Sequence, residues 1–294
     1  MKKFISFIII FLLTNTANAN ELESTINKIY NKGSEAAEGY ITNLFSGPGE
    51  TEVSISGKNE NKPTGNIMII RPFSIHEDSL TFYQAQLNSY HVLGESRQSI
   101  NYGVGTRFLS DSKSSFWGLN TFLDRDTKDN TRLSFGSEYS TSNFDITANY
   151  YLGVGSASKV GANTERVLDG YDFNISGQAP YAPWANISYN NYTWKADKAA
   201  TGSNGDIYSL SLNLSNSLTL EGGYDDNNLQ DSMDFIRLTY STSGKNRPTI
   251  MDGFSSGAFT DSDVSEDMLT KVKRKNTIVL EIESSGVVIA NGNT

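Results

Sequence analysis

Between Thr51 and Thr242 apolar and polar residues alternate with a period of two in about a dozen short segments. A period of two puts successive side chains on opposite faces of a strand. Over 143–153, Phe144, Ile146, Ala148 and Tyr150 share one face, while Asp145, Thr147 and Asn149 share the other. Over 205–215, Tyr208, Leu210, Leu212 and Leu214 oppose Ser209, Ser211, Asn213 and Ser215. Over 232–242, Ile236, Leu238 and Tyr240 oppose Arg237 and Thr239. The pattern predicts twelve strands, at 51–58, 66–73, 79–90, 97–109, 114–124, 130–140, 143–153, 168–178, 184–195, 205–215, 217–225 and 232–242. Most have the roughly 9–11 residues that a tilted strand needs to cross a bilayer.

The connectors are expected to alternate in length. One set is tight: 76–79, 110–114, Ser140 to Asn143, Ala179 to Pro183, and a turn at Asn216. The other is longer and richer in Gly, Asn, Asp and Lys: Gly57 to Gly65, His91 to Ser96, Arg125 to Asp129, Val154 to Val167, Ala196 to Asn204, and Asp226 to Asp231. Short turns at one end and long loops at the other fit an outer-membrane β-barrel, with the long set outside. The apolar face would meet lipid and the small polar face the interior. In a soluble sandwich the same apolar face would form the core.

The segments flanking the barrel differ in character. Residues 1–19 read as a secretory leader, with Lys2 and Lys3, an apolar run from Phe4 to Leu13, and a small-residue cut site after Ala19. That apolar run is too short for a spanning helix. Residues 20–50 are expected to hold a short periplasmic amphipathic helix and a linker, with Leu22, Ile26, Ile29 and Tyr30 on one face. The barrel is assigned to 51–242 and a linker and tail to 243–294. Within that tail, 243–265 is rich in Ser, Gly and Asp, and 266–283 joins a basic cluster to a short apolar run.

Composition narrows the function. Lys2 and Lys3 lie in the leader, so 22 of the 24 basic residues remain against 33 acidic ones, a net charge of −11. That argues against nucleic acid as a partner. The absence of cysteine rules out disulfides, thiolate metal sites and a cysteine nucleophile. Mean hydropathy is −0.40, but barrel strands escape hydropathy scans because half their residues face a wet interior.

Candidate chemistry is sparse. The two histidines, His76 in a tight turn and His91 in a long loop, are expected at opposite ends of the barrel, so neither is assigned a catalytic role. Asp124, Arg125, Asp126 and Asp129 read as a hairpin tip held by charge pairs; a loose cation site is the alternative, although an EF-hand's acceptor series is missing. The sequons at Asn174, Asn186, Asn191 and Asn213 fall in strands, where a glycan would not fit. Lys271, Lys273, Arg274 and Lys275 would pair with inward acids such as Asp145 or Asp172, or bind an anionic surface. No catalytic, cofactor or metal residue is assigned, and the chain is expected not to be an enzyme.

Several stretches, in order, resemble the β-domain of inverse autotransporters, the intimin and invasin family. They are INYGVGTRF (100–108), WGLNTFLDRD (117–126) running into NTRLSFGSEY (130–139), LDGYDF (168–173), APYAPWANISYNNY (179–192) and KVKRKNTIVLE (271–281). Leu123, between Phe122 and Asp124, departs from the family's hairpin. The resemblance implies an all-β fold: a twelve-stranded antiparallel transmembrane barrel with a periplasmic N-terminus and a C-terminal segment threading the lumen to the cell surface. It implies outer-membrane lipid as partner, together with the Sec export and barrel-assembly machineries and a cell-surface ligand. Family members carry adhesion domains after the threading segment. About a dozen residues follow residue 281 here, so a barrel without such a passenger is expected. The alternatives are a small porin whose tail has left the lumen, and a barrel that binds a partner through external loops, chiefly 154–167.

Overall fold

The computed structural model describes residues 47–58, 62–242, 246–259, 261–284 and 287–291. The leader and the helix expected in 20–50 lie outside the described residues, apart from the final turn into the first strand. Sixteen strands follow among the described residues. They are β1 (Glu50–Lys58), β2 (Thr64–Ile75), β3 (Ser79–Val92), β4 (Glu95–Leu109), β5 (Ser115–Asp126), β6 (Thr131–Thr141), β7 (Phe144–Val154), β8 (Ser158–Val160), β9 (Asn163–Val167), β10 (Gly170–Ala179), β11 (Ala182–Trp194), β12 (Ser203–Asn213), β13 (Leu218–Asn227), β14 (Gln230–Ser241), β15 (Leu280–Ser284) and β16 (Val287–Asn291).

Twelve of them close a barrel in the order β1-β14-β13-β12-β11-β10-β7-β6-β5-β4-β3-β2, and every pairing is antiparallel. The seam joins β1 to β14, from Glu52 opposite Ser241 to Lys58 opposite Phe235. It is reinforced where Ser241 Oγ donates to Glu50 at 2.5 Å. Closure leaves no strand edge for lipid to strip of hydrogen bonds.

Alternation sets the two faces as expected. In β4, Ile100 and Tyr102 are exposed at 55% and 54%, while Asn101 between them is at 0%. Leu87, Leu119, Phe135, Ile187, Leu210 and Ile236 continue the outward apolar band. The band is edged by aromatic rings: Phe108 stacks on Trp117 at 4.4 Å, and Tyr139 lies near Phe144, at the end where the chain enters β1. The inner face carries Gln84, Gln86, Asn88, Asn120, Ser134 and Asn149, all buried. Gly103 and Gly105 serve that packing, because a side chain at either would collide with the inward rings of Phe122 or Phe82.

The connectors at the entry end are tight, as expected. The opposite end differs in part. The strands run further than the pattern suggests, so His91 to Ser96 shrinks to a turn at Leu93 and Gly94, both with positive φ. A two-residue turn of that type matches the twist of its strands, which is why β3 and β4 extend to it. Asp226 to Asp231 shrinks in the same way, with Asn227 paired to Gln230. His91 therefore sits in β3, not in a loop. Val154 to Val167 is not plain loop either. It holds β8 and β9, which join β15 and β16 in a second sheet of order β16-β15-β9-β8. At the entry end the run Ala179 to Pro183 is shorter than expected, because Ala182 and Pro183 already belong to β11.

An arginine in place of Leu119, on the lipid side of β5, should destabilise the barrel in vesicles by about 2–4 kcal/mol if the site lies near the bilayer midplane. Urea titration of L119R beside the parent chain measures this, and a change below about 0.5 kcal/mol would remove lipid from that face.

Candidate functional site

The residues after β14 make a series of contacts that follows the barrel. Arg247 donates to Ser215 O and to Thr219 Oγ1, the latter at 2.9 Å. Trp184 Nε1 donates to Gly253 O at 2.7 Å, and Tyr181 N donates to Ala258 O. Asn143 Nδ2 reaches Asp261 at 3.0 Å, and Val264 N donates to Lys113 O. These partners lie on successive entry-end turns or strand ends, taken in barrel order.

From Val264 the contacts change to inward-facing side chains. Val264, Met268 and Val272 bury against Met68, Ile70, Phe82, Phe116 and Phe122. A short 3-10 turn, Ser265–Leu269, spaces them. Arg107 joins wall to tail. Its guanidinium holds Glu138 of β6 at 2.7 Å and donates to Met268 O and Thr270 O at 2.7 and 2.8 Å, 4.6 Å above the Phe82 ring.

The centre of the site is Asp124. Its carboxylate sits between Arg132 at 2.8 Å and Arg274 at 2.7 Å, all three side chains fully buried. Arg274 also lies over the Phe122 ring at 4.3 Å, and Arg132 over Tyr151 at 4.5 Å. One carboxylate between two guanidiniums leaves a surplus positive charge. The rings and the acceptors around it offset that surplus: Arg132 donates to Lys275 O and Thr277 O at 2.6 and 3.0 Å.

The run 268–277 has no backbone ladder of its own, so its polar groups need partners. The walls supply them. Asn149 donates to Lys273 O and Asn101 to Asn276 O. Gln84 accepts Val272 N–H, and Tyr151 Oη accepts Lys275 N–H. The alternating charges reach opposite walls: Lys271 meets Glu52 of β1 at 2.5 Å, and Lys273 meets Asp145 of β7 at 2.8 Å.

Past Thr277 the segment gains regular pairing. Leu168 N donates to Val279 O, and β15 runs antiparallel to β9 from Leu280 opposite Val167 to Glu283 opposite Thr164. Ile278, Leu280 and Ile282 are buried with Tyr90 and Val92. Strand β9 is itself held from beneath, because Arg97 bridges Glu165 at 2.6 Å and Asp126 at 3.1 Å, with Asn130 donating to both acids. The Glu281 carboxylate receives the backbone N–H groups of Asp197, Lys198 and Ala199, the longest at 3.0 Å. Burial alone would raise that carboxyl, but those N–H groups, with Arg166 nearby, hold it below the usual 4.5.

The residues singled out in the sequence are placed as follows. Lys273 takes Asp145, one of the two acids expected. Asp172 takes no cation among the described residues; Tyr151 Oη and Asn149 donate to it instead, at 2.5 and 2.8 Å. Asp124, Arg125, Asp126 and Asp129 do not form one tip. Arg125 and Asp129 pair in solvent, but Asp124 and Asp126 point inward, because the alternation of β5 sends every second residue to the interior. No cluster of three or more metal-binding side chains occurs among the described residues. His76 meets Ser74. The four sequons lie in strands β10, β11 and β12, as expected. Arg97, Arg107 and Arg132 are residues of the candidate site that the sequence reading misses. Their signal is a charge on the polar face of a predicted spanning strand, which requires a buried partner.

Residues 10–276 match the profile of the inverse autotransporter β-domain. The chain belongs to that family. As an inverse autotransporter β-domain that closes a twelve-stranded barrel, it is a protein of the bacterial outer membrane. It is similar to intimin of Escherichia coli O157:H7 and of Escherichia coli O127:H6 (strain E2348/69 / EPEC), each 30% identical over 150 residues. That alignment takes in 49% of this chain and 15% of intimin, so the chain spans a small part of those relatives' length. A solved structure from work on the in-meso crystallization of membrane proteins aligns with a TM-score of 0.66 at 21% identity, over 80% of this chain and 99% of that one, a likeness of fold.

Replacing Asp124 by alanine should cost about 3–5 kcal/mol, since it strands two buried guanidiniums. Adding Arg274→Met should recover part of the loss, and a double-mutant cycle in urea reads the coupling. Simple additivity would dissolve the pair. A depressed Glu281 value means protection of β15 that is complete above the unfolded value of 4.5 and is lost as pH falls through the lower folded one. Hydrogen exchange of β15, corrected for intrinsic rates, should show this between about pH 5 and pH 3. E281Q should flatten it.

Proposed function

We propose that this β-domain carries its own C-terminal segment through the barrel, from the periplasmic face to the cell surface, and anchors it there. The observation that carries this reading is the order of the contacts. Residues 247–261 touch entry-end turns, 264–277 touch inward side chains, and 280–283 pair with a strand in the opposite loops. A chain laid over the outside of the barrel would have no reason to meet Arg107, Asp124 and Asn149, which face inward on three different strands.

The chemistry suits a chain that must be held after it has moved. Side-chain donors from the wall satisfy its backbone, so it needs no helix or ladder while crossing. Its basic residues match the inner acids. β9 then takes it up as a strand partner, which opposes slipping back. On this reading the partners are outer-membrane lipid, the Sec and barrel-assembly machineries that deliver the chain, and whatever surface the exported segment meets. The longest loop pair is occupied by β15, which argues against 154–167 as a free binding loop.

The chain has no cysteine, so single cysteines report cleanly. In intact cells the S284C variant should react with an impermeant maleimide, and the S256C variant should react only after permeabilisation. Labelling of S256C from outside, or of S284C only from within, would reject the direction proposed.

A further inference from the structure

The segment 264–277 does not fill the barrel. Its apolar packing is against β2, β3 and β5, whereas a cavity of 470 Å³ lies between Lys271–Thr277 and a wall built from β1 to β3 and β10 to β14. The cavity runs along the barrel. At the far end its lining includes Lys58 and Thr64, the last residue of β1 and the first of β2; at the entry end it includes Asn213, the last residue of β12, with Arg247. The six steps from Glu52 to Lys58 correspond to roughly 15–20 Å after allowing for strand tilt. Over that length the volume gives a mean open section of roughly 25–30 Å², enough for small ions with some of their water.

The walls suit such a path. Short amides and hydroxyls, such as Ser54, Asn186, Ser188 and Ser211, line it where the opposite wall carries bulky rings. Charges along it are mostly neutralised in pairs: Lys58 with Asp225 at 3.3 Å, Arg237 with Glu221 at 2.7 Å, and Lys271 with Glu52. Two cations on the lining have no carboxylate within ion-pair distance among the described residues. Arg247 donates to Ser215 and Thr219, and the Lys275 ammonium has no hydrogen-bond partner there, although that residue's backbone is fully engaged. Against them stands one carboxylate without a cation, Asp172, already satisfied by Tyr151 and Asn149.

We propose that the barrel conducts small inorganic anions beside its own seated tail, along the wall of β1 and β11 to β14. This rests on the threaded reading above, and it differs from a porin that opens only when the tail leaves. Arg247 sets the charge at the entry end and Lys275 the charge further in.

The test uses the full chain in planar bilayers, with the tail locked by a disulfide. T164C with E283C faces two residues across the β9–β15 ladder, at a spacing that a disulfide can bridge. Under oxidising conditions in a potassium chloride gradient, the locked chain should show a small steady conductance whose reversal potential lies on the chloride side. K275E with R247E should move that potential to the potassium side. With S211C on the cavity wall, a charged methanethiosulfonate reagent should lower the conductance at least twofold, and with L210C on the lipid side it should not. A locked chain that is silent, or whose reversal potential ignores both charge reversals, overturns the conduit and leaves threading intact. Failure of the disulfide to form, in protein that shifts mobility on heating as folded barrels do, counts against threading itself and takes the conduit with it.

Discussion

A backbone amide that leaves water must find a partner, and in this molecule that requirement acts twice. Lipid surrounds the outer face, so the twelve strands have to close. The β1–β14 seam completes the closure and removes the last free edge. The same requirement falls on the irregular run 268–277, which has no ladder of its own. Here closure is no help, and side chains act as the second strand would. Arginine suits this because one guanidinium can face a carboxylate on the wall and a carbonyl of the tail together, as Arg107 and Arg132 do. The inner arginines are thus a hydrogen-bonding surface, with charge neutralisation as the condition for having them there.

That condition explains where the acids sit. Glu138, Asp124, Asp145 and Glu52 lie at different places on the inner wall, each against a guanidinium or ammonium. Buried pairs of this kind contribute little net stability relative to an apolar core, because desolvation consumes most of the attraction. Their value is in selecting one alignment. Lys271 and Lys273 reach opposite walls, and Val272 and Arg274 share the side between them, Val272 in the apolar cluster of β2, β3 and β5 and Arg274 on Asp124 of β5. A slip of one residue would press Val272 on Glu52 and leave Lys273 facing Phe122. The tail has few alignments that avoid an unpaired charge, so it holds position without being tightly packed on every side.

The fold is legible because a membrane barrel writes it in a period of two. All twelve barrel strands show in the pattern, and the inward and outward sets of β7, β12 and β14 fall as the alternation requires. Strand ends are less legible. Positive φ at Leu93 and Gly94 lets β3 and β4 continue into what composition marks as loop. β8 and β9 leave no clear trace, being three and five residues long, with β9 paired on one side to β8 and on the other to a strand more than a hundred residues away. In the interior, the pairing of the basic cluster with Asp145 can be read from charge alone. The Arg274–Asp124–Arg132 arrangement cannot, since which inward acid meets which tail cation depends on the stagger between strands, and alternation does not encode that. Asp124 is easily misplaced for a related reason: a run of like residues near a hairpin resembles a tip until the faces are separated.

The uneven interior follows from residue size. β2 to β7 turn Phe82, Phe116, Phe122, Arg107 and Arg132 inward, and the tail fills the space between them with Val264, Met268 and Val272. β11 and β12 turn Asn186, Ser188, Ser209 and Ser211 inward, and these are too short to reach the tail. A barrel of fixed strand number has a fixed bore, so a wall of large residues pushes the guest chain off the axis and a wall of small ones leaves a gap behind it. The gap is lined mostly by short polar groups that water can satisfy, whereas an apolar wall there would favour the tail packing across it. Contact with the tail on one side and a polar gap on the other are therefore two outcomes of one distribution of side-chain volume around the barrel.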